Sequence, residues 1–151
     1  MTRLDSSSQY QLDMEELLFN KVCSLIDDAS LVHNPSLAIG DDRRISIRPD
    51  FYSAEHHIIG EIHVHAGRLK GGQPDKIASD ILKMLLYDKV LGICHKKYIV
   101  VCDKDEYLQL HGNSSLAEAV RRFNVEVLFV EIGQGDHDRI ISTMKKQDIR
   151  N

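Results

Sequence analysis

Apolar residues recur at helical spacing in four parts of the chain, and each part predicts a helix. The first helix is predicted from Leu12 to about Ala29. Pro74 suits the first turn of the second helix, which is predicted to run as far as Gly92. The third is predicted from Ser115 to Phe123, and the fourth from Asp136 to Lys146 with Asp136 as its N-cap. The apolar face predicted for the second helix consists of Ile77, Ala78, Ile81, Leu82, Leu85 and Leu86.

Between these helices, apolar runs predict strands. Two continuous runs, YIVVCD at 98–103 and VEVLFVEI at 125–132, are typical of strands buried on both faces. The segment from Ile58 to Ala66 predicts a strand whose antiparallel partner is a short run around Ile45 to Arg48. One more strand is expected near Leu37 to Ile39. This order of elements predicts an α/β fold in which helices sandwich a mixed sheet.

Length and composition indicate one domain that spans residues 1–151, with residues 1–11 frayed at its start. No apolar run approaches the ~20 residues of a membrane helix, and the first residues lack the apolar core of a signal peptide. A cytoplasmic protein with no membrane partner is therefore expected. Three cysteines at wide spacing, Cys23, Cys94 and Cys102, indicate neither a disulfide framework nor a CxxC zinc site.

Charge is unevenly distributed along the chain. The net charge is −4, which argues against indiscriminate coating of nucleic acid. Residues 61–100 nevertheless hold seven Lys or Arg residues against four Asp or Glu residues. A local basic surface of this kind can bind phosphates within an acidic protein.

The segment GEIHVHAG at 60–67 places Glu61, His63 and His65 at alternate positions of a predicted strand. Alternate side chains of a strand point to the same face, so the carboxylate and both imidazoles share one face. Asp50 lies at the end of the preceding predicted strand, and antiparallel pairing of the two strands brings it toward Glu61. Two carboxylates from adjacent strands are suitable ligands for Mg²⁺ or Mn²⁺, with room left for a phosphate oxygen.

The spacing of these residues resembles that of a known nuclease group. Arg48-Pro49-Asp50, ten residues, and then Glu61-Ile62-His63 on an apolar strand followed by a helix resemble the PD-(D/E)xK nuclease superfamily. The resemblance implies a restriction-endonuclease-like αβββαβ core and metal-dependent hydrolysis of phosphodiester bonds in nucleic acid, with DNA as the expected substrate. It also implies that Asp50, Glu61 and the backbone carbonyl of Ile62 bind Mg²⁺ or Mn²⁺.

The chain departs from this superfamily at one catalytic position, because His63 occupies the place of the usual lysine. A histidine, with an ordinary pKa of ~6.5, can still orient or deprotonate the attacking water. Alternatively, a lysine reaches in from a neighbouring element, as in some superfamily members, and the candidates are Lys70, just past the strand, and Lys76, on the next helix. Asp80 and Lys83, further along that helix, are interpreted as a solvated ion pair.

Three more residues are assigned to the site from their positions. Glu15 falls near the centre of the apolar face of the first helix, where many superfamily members place a metal-directed glutamate; a solvated first-turn residue is the alternative. Gln73 and Lys76 lie at the start of the second helix, where free N–H groups favour phosphate, so both are expected to bind substrate. His65 is expected to contact substrate rather than metal.

Two other functions stay open for such a fold. A nuclease fold that has lost its chemistry would serve as a binding module that keeps the two acids, and the missing lysine favours this alternative. A zinc peptidase of the JAMM type has a similar His-x-His pair, but Ser79 and Asp80 are adjacent here and displaced from the spacing that such a site uses. A small nuclease that cuts both strands of a duplex is expected to form a two-fold homodimer.

Overall fold

The structure is a computed structural model that describes residues 6–41 and 44–150. Five helices lie within these residues, namely α1 (Ser6–Ile26), α2 (Gln73–Leu91), α3 (Lys104–Gln109), α4 (Ser115–Arg122) and α5 (Gln134–Arg150). Seven strands accompany them, namely β1 (Val32–His33), β2 (Leu37–Ala38), β3 (Ser46–Ile47), β4 (Phe51–Ser53), β5 (Ile58–His63), β6 (Lys96–Val101) and β7 (Val125–Phe129). None of the described helices has a stretch long and apolar enough to cross a membrane.

Five of the strands form one mixed sheet with the order β1-β4-β5-β6-β7. β1, β4 and β5 pair antiparallel, whereas β5, β6 and β7 pair parallel. Helices join the parallel strands, with α2 between β5 and β6 and both α3 and α4 between β6 and β7. This arrangement confirms the predicted α/β fold, in which helices flank a mixed sheet.

Helices cover both faces of the sheet, and each face has its own apolar core. On the first face α1 and α5 supply Met14, Leu18, Val22 and Ile140. On the second face α2 and α4 supply Ile77, Ile81, Met84 and Val120. β5 alternates between the two, since Ile62 belongs to the first core and Ile59 to the second. Glu61 has the parity of Ile59, so its side chain points to the side of the sheet that α2 covers.

The register of β4 against β5 is fixed by a close contact between an aromatic ring and a glycine. Phe51 pairs with Gly60, and a Cβ added at Gly60 would overlap the Phe51 ring. Only a residue without a side chain lets this ring lie across the strand, fully buried. The next position in the same register sets Asp50 opposite Glu61, so this packing determines where the two acids meet.

The strand predicted around Ile45 to Arg48 is not the partner of β5. Its Ser46 and Ile47 form β3, which pairs with β2 in a separate two-stranded sheet near the predicted position of an extra strand. The antiparallel partner of β5 is β4, which lies between the two predicted strands, where the sequence predicts no strand. The turn between β4 and β5 is confined to 54–57, because Phe51 and Tyr52 are drawn into the two cores.

Both terminal helices begin earlier than the sequence predicts. α1 starts at Ser6 rather than Leu12, so residues 6–11, expected to be frayed, are helical, while residues 1–5 lie outside the described part of the chain. Tyr10 explains the difference, because its ring is buried and its hydroxyl donates a 3.1 Å hydrogen bond to the backbone carbonyl of Asp136. α5 starts at Gln134, which puts Asp136 in its first turn rather than at its N-cap.

The face that α2 turns to the sheet differs from the predicted apolar face. Its buried residues are Ile77, Asp80, Ile81, Met84 and Tyr87. Leu82 and Leu86, which were predicted to be buried, are 67% and 42% exposed. The large side chains explain this rotation, since Tyr87 packs against the rings of Tyr52 and His95, with centroids 5.6 and 5.4 Å away. The rotation turns Asp80 inward, toward Glu61 near the end of β5.

Candidate active site

Asp50, which is partly buried, and Glu61, which is buried, bring two carboxyl groups together where β4 and β5 meet. The Asp50 Oδ2 accepts a 2.6 Å hydrogen bond from the backbone N–H of Ile62, which fixes its carboxylate beside β5. Glu61 is buried, and its carboxyl group hydrogen-bonds to that of Asp50. The two acids that the sequence assigned to a metal therefore lie within hydrogen-bonding distance of each other.

The backbone of Ile62 lies beside the two acids. In an antiparallel pair the N–H and the C=O of one residue point to the same neighbouring strand. The N–H of Ile62 points to Asp50, so its carbonyl oxygen points toward that side as well. The carbonyl that the sequence assigned as a third metal ligand thus lies on the side of β5 that carries both carboxyl groups.

The electrostatics of Glu61 reflect this crowding. The pKa of Glu61 is raised to about 9 by burial, by the neighbouring carboxylates of Asp50 and Asp80, and by the hydrogen bond that protonated Glu61 donates to Asp50. Lys83 acts in the opposite direction and lowers it. At neutral pH the carboxyl group of Glu61 is therefore protonated. Two carboxyl groups held together with little solvent around them favour a proton or a cation beside them, so the residues fit a divalent ion with oxygen ligands.

Lys83 brings a positive charge to this pair from α2. Its Nζ lies 3.1 Å from the Oδ1 of Asp80 and 3.9 Å from the Oε1 of Glu61, while 39% of the side chain stays exposed. Burial alone would lower the pKa of Lys83, but the carboxylates of Glu61 and Asp80 outweigh burial and raise it. Lys83 therefore lies at the acid pair as a cation with one side open to solvent.

The interpretation of Asp80 and Lys83 as an ordinary solvated pair is wrong. Asp80 is buried, and the Nζ of Lys83 lies near the carboxyl group of Glu61. The rotation of α2 that hides Met84 and Tyr87 also brings these two residues to β5. Apolar spacing favoured a different face of the helix, so no periodic signal in the sequence pointed to them.

Glu15 and Lys76 lie at the periphery of the acid pair. Burial and the charge of Asp50 raise the pKa of the half-buried Glu15, and Lys76 lowers it. Lys76 is exposed, with its Nζ 3.9 Å from the Oδ2 of Asp80. The structure thus places the predicted acid of α1 in the electrostatic surroundings of Asp50, and Lys76 is close enough to act on Glu15.

Lys70 and Gln73 belong to a neighbouring groove of about 780 Å³ between the loop after β5 and α5. The charged residues that line it are Arg68, Lys70, Lys76 and Lys145, with no acid among the described lining residues. Gln73 uses its Oε1 to accept a 3.1 Å hydrogen bond from the backbone N–H of Lys70 and so shapes the turn before α2. Lys76 lines the groove and its Nζ lies 3.9 Å from Asp80, whose carboxylate acts on Glu61, so the basic surface reaches the surroundings of the acid pair.

His63 and His65 contact a different acid. The Nδ1 of His63 contacts the Oε1 of Glu106, and the Nδ1 of His65 lies 3.3 Å from the Oε2 of the same glutamate. All three residues are buried. His63, expected to handle the attacking water, thus has its ring paired with α3, and His65, expected to contact substrate, lies beneath the surface.

Sequence reasoning missed Glu106 because it lies in the first turn of a short helix, where an acid is ordinarily explained by the helix dipole. Only the packing of α3 against the end of β5 reveals its partners. No protein-family model, curated protein or solved structure matches this chain. Geometry and chemistry of the two clusters therefore carry the functional conclusion.

Proposed function

We infer that this protein is a metal-dependent nuclease whose active centre is the Asp50 and Glu61 pair. The observation that carries the inference is the convergence of the buried Glu61 and the partly buried Asp50 with a lysine, since Lys83 Nζ lies 3.9 Å from the Oε1 of Glu61. Paired acids with an adjacent cation are the groups needed to hold a hard divalent ion and to bind the phosphate of a substrate.

The order of elements supports a restriction-endonuclease-like core. α1, β1, β4, β5, α2 and β6 follow one another as αβββαβ, with the β2 and β3 pair inserted between β1 and β4. β1, β4 and β5 are antiparallel, and α2 crosses over to the parallel strand β6. Asp50 then lies directly before β4, and Glu61 lies near the end of β5.

Asp50, Glu61 and the carbonyl of Ile62 are the groups that would hold Mg²⁺ or Mn²⁺, with Glu15 nearby. The ion supplies a Lewis acid that neutralises phosphodiester charge and activates water. Glu61, which is protonated in the absence of metal, would have to lose that proton to serve as a ligand. Asp50 keeps its orientation through the N–H of Ile62.

Lys83 takes the place of the lysine that the strand lacks. Its ammonium group is held by Asp80 on one side and remains partly open to solvent on the other. A cation fixed beside the acid pair stabilises the charge that grows on the phosphate oxygens and orients the attacking water through hydrogen bonds. Because the surrounding carboxylates raise its pKa, Lys83 acts as a charged donor rather than as a base.

The substrate proposed is nucleic acid, with DNA favoured. Arg68, Lys70 and Lys145 line the groove that reaches the surroundings of the acid pair. α2 begins beside this groove, but the N–H of Gln73 already donates to the carbonyl of Lys70 and Pro74 has no N–H, so the proposed phosphate contacts come from the groove side chains and not from the helix N-terminus. Because cutting both strands of a duplex takes two active centres, a two-fold homodimer is part of the proposal.

Cleavage of labelled single-stranded and double-stranded DNA and RNA tests the function. We expect cleavage of at least one substrate with Mg²⁺ or Mn²⁺ and none with EDTA. Absence of cleavage on all four substrates with both ions, by protein that still binds them, would leave the binding module as the function. Light scattering on the same preparation measures the oligomer, and a monomer at all concentrations would restrict the activity to single-strand cuts.

A further inference from the structure

We propose that His63, His65 and Glu106 form a second metal site, separate from the acid pair, for a borderline divalent ion such as Zn²⁺. His63 ends β5 and His65 lies in the loop that follows, whereas Glu106 comes from α3. The site would therefore join the strand that carries Glu61 to a helix on the second face of the sheet.

The geometry of the cluster suits one ion. One ligand atom from each residue can be chosen so that all lie within 4.8 Å of one another. The separation of 3.3 Å between His65 Nδ1 and Glu106 Oε2 equals the edge of a tetrahedron with bonds of about 2.0 to 2.1 Å. The Nδ1 of His63 contacts the other oxygen of Glu106, so the two imidazoles and the carboxylate provide three donor groups for one ion.

A group of buried polar atoms without hydrogen-bond partners also indicates a metal site in this cluster. Both ring nitrogens of His65 and the Oε2 of Glu106 have no hydrogen-bond partner among the described residues, and all three atoms are shielded from solvent. His65 is 2% exposed and Glu106 is 0% exposed. Buried polar groups in proteins are almost always satisfied, so three such atoms in one cluster point to a missing partner.

A protonated histidine does not account for this cluster as well as an ion does. Although His65 Nδ1 lies within ion-pair distance of Glu106 Oε2, the pair fails the directional requirement for a hydrogen bond. The two imidazole rings lie nearly parallel, with planes 22° apart and centroids separated by 5.3 Å. A metal bond uses the lone pair of a neutral imidazole and needs no N–H donor, so it satisfies both histidines at once.

The ligand set decides the class of metal. Imidazole nitrogens together with one carboxylate suit Zn²⁺ and similar transition ions, whereas Mg²⁺ prefers sites made of oxygen atoms. The cluster is closed to solvent, which is typical of a structural metal rather than a catalytic one. Its position, two and four residues after Glu61, means that the ion would hold the end of β5 in place and anchor the loop that lines the basic groove.

Zinc binding to the chelator-treated, dialysed protein tests the site. Calorimetry with Zn²⁺ in excess Mg²⁺ is expected to give about one high-affinity site per chain and a raised melting temperature. Glu106→Gln keeps the shape of the side chain and should weaken Zn²⁺ binding by more than ~100-fold, because even the loss of a residue that only orients a ligand costs about 10- to 100-fold. Glu126→Gln, an exposed acid on β7, is the matched control and should bind as the wild type does.

The ring nitrogens of the wild-type histidines provide a measurement that does not depend on the variant. In ¹H–¹⁵N spectra, one equivalent of Zn²⁺ should shift one ring nitrogen of His63 and one of His65 and leave exposed His111 unchanged. The proposal is overturned if wild-type protein binds no Zn²⁺, if the shifts occur at exposed histidines only, or if Glu106→Gln binds Zn²⁺ as tightly as wild type. None of these readouts depends on nuclease activity, so failure here leaves the acid pair and its function unaffected.

Discussion

At the scale of single residues, the ionisation of Glu61 makes the first testable prediction. Its pKa of about 9 in the folded protein lies above the ordinary value of 4.5, so the folded state holds a proton that the unfolded chain releases. The stabilisation from Glu61 is complete below the ordinary pKa and is lost as the pH rises through about 9. In the absence of metal, the free energy of unfolding should therefore fall between these limits.

Urea unfolding of the metal-free protein at several pH values measures this effect. Glu61→Gln cannot titrate, so the difference between wild type and this variant isolates the contribution of Glu61. We expect the wild type to lose stability relative to the variant as the pH rises. Parallel profiles would contradict the raised pKa of Glu61.

Lys83 gives the second prediction at this scale. Replacing it by methionine removes the cation beside Glu61 while keeping most of the side-chain volume. The rate constant for cleavage should fall by about 10²- to 10³-fold, the usual loss when one group that stabilises transition-state charge is removed. Lys70→Met is the matched control, since Lys70 lines the groove, and it should raise KM with little change in kcat. Unchanged kcat in Lys83→Met would exclude the proposed role.

The sequence predicted part of this site and could not predict the rest. Asp50 and Glu61 stand out because a strand motif and a fixed spacing relate them. Lys83 reaches Glu61 only because large side chains rotate α2, and Glu106 reaches two histidines only because α3 packs on the end of β5. Both contacts are tertiary, and neither leaves a periodic pattern in the chain.

At the scale of elements, the contact between Phe51 and Gly60 fixes the register that places the acids together. Gly60→Ala inserts a methyl group into the space of the Phe51 ring, so we expect a loss of about 1 to 3 kcal/mol in the free energy of unfolding. Gly135→Ala is the matched control, because a Cβ there meets open space within α5, and it should be close to neutral. Equal stability of the two variants in urea would show that the ring does not set the register.

The same elements show why the sequence predicts some structure well and some poorly. The second helix was predicted from Pro74 to Gly92 and is observed from Gln73 to Leu91, since Gly92 ends it in a left-handed conformation with φ of 66°. The strands β1, β2 and β3 contain two residues each, too few for any alternation to appear. The pairing of these short strands is decided by tertiary packing against neighbouring elements, which the sequence pattern does not show.

At the scale of the whole molecule, charge is separated within an acidic protein. The net charge is −4, yet the groove between the loop after β5 and α5 carries cationic side chains and no acid among its described lining residues. Such a surface binds the phosphate backbone without reading sequence, and its binding depends on salt. Nucleic acid should therefore bind along this groove and lose affinity steeply as salt increases.

Removing one groove cation tests this prediction. Lys145→Ala should weaken binding of all sequences alike and reduce the slope of log affinity against log salt by about 0.9, the contribution of one phosphate contact. Arg122→Ala removes an equal charge from α4, outside the groove, and should leave the slope unchanged. Fluorescence anisotropy in Ca²⁺ or EDTA, where cleavage is prevented, measures both, and equal slopes for the two variants would place the nucleic acid elsewhere.

The central claim is that one divalent ion between Asp50 and Glu61 is required to cleave nucleic acid. Single-turnover cleavage measured as a function of Mn²⁺ concentration tests it most directly, with Asp50→Asn beside Asp75→Asn, a substitution at an exposed acid in the first turn of α2. Asp75→Asn should follow the wild-type curve, whereas Asp50→Asn should show no cleavage at any Mn²⁺ concentration, because the ion would lose one of its two charged ligands. Cleavage by Asp50→Asn at the wild-type rate, or wild-type cleavage that persists in EDTA, would contradict it.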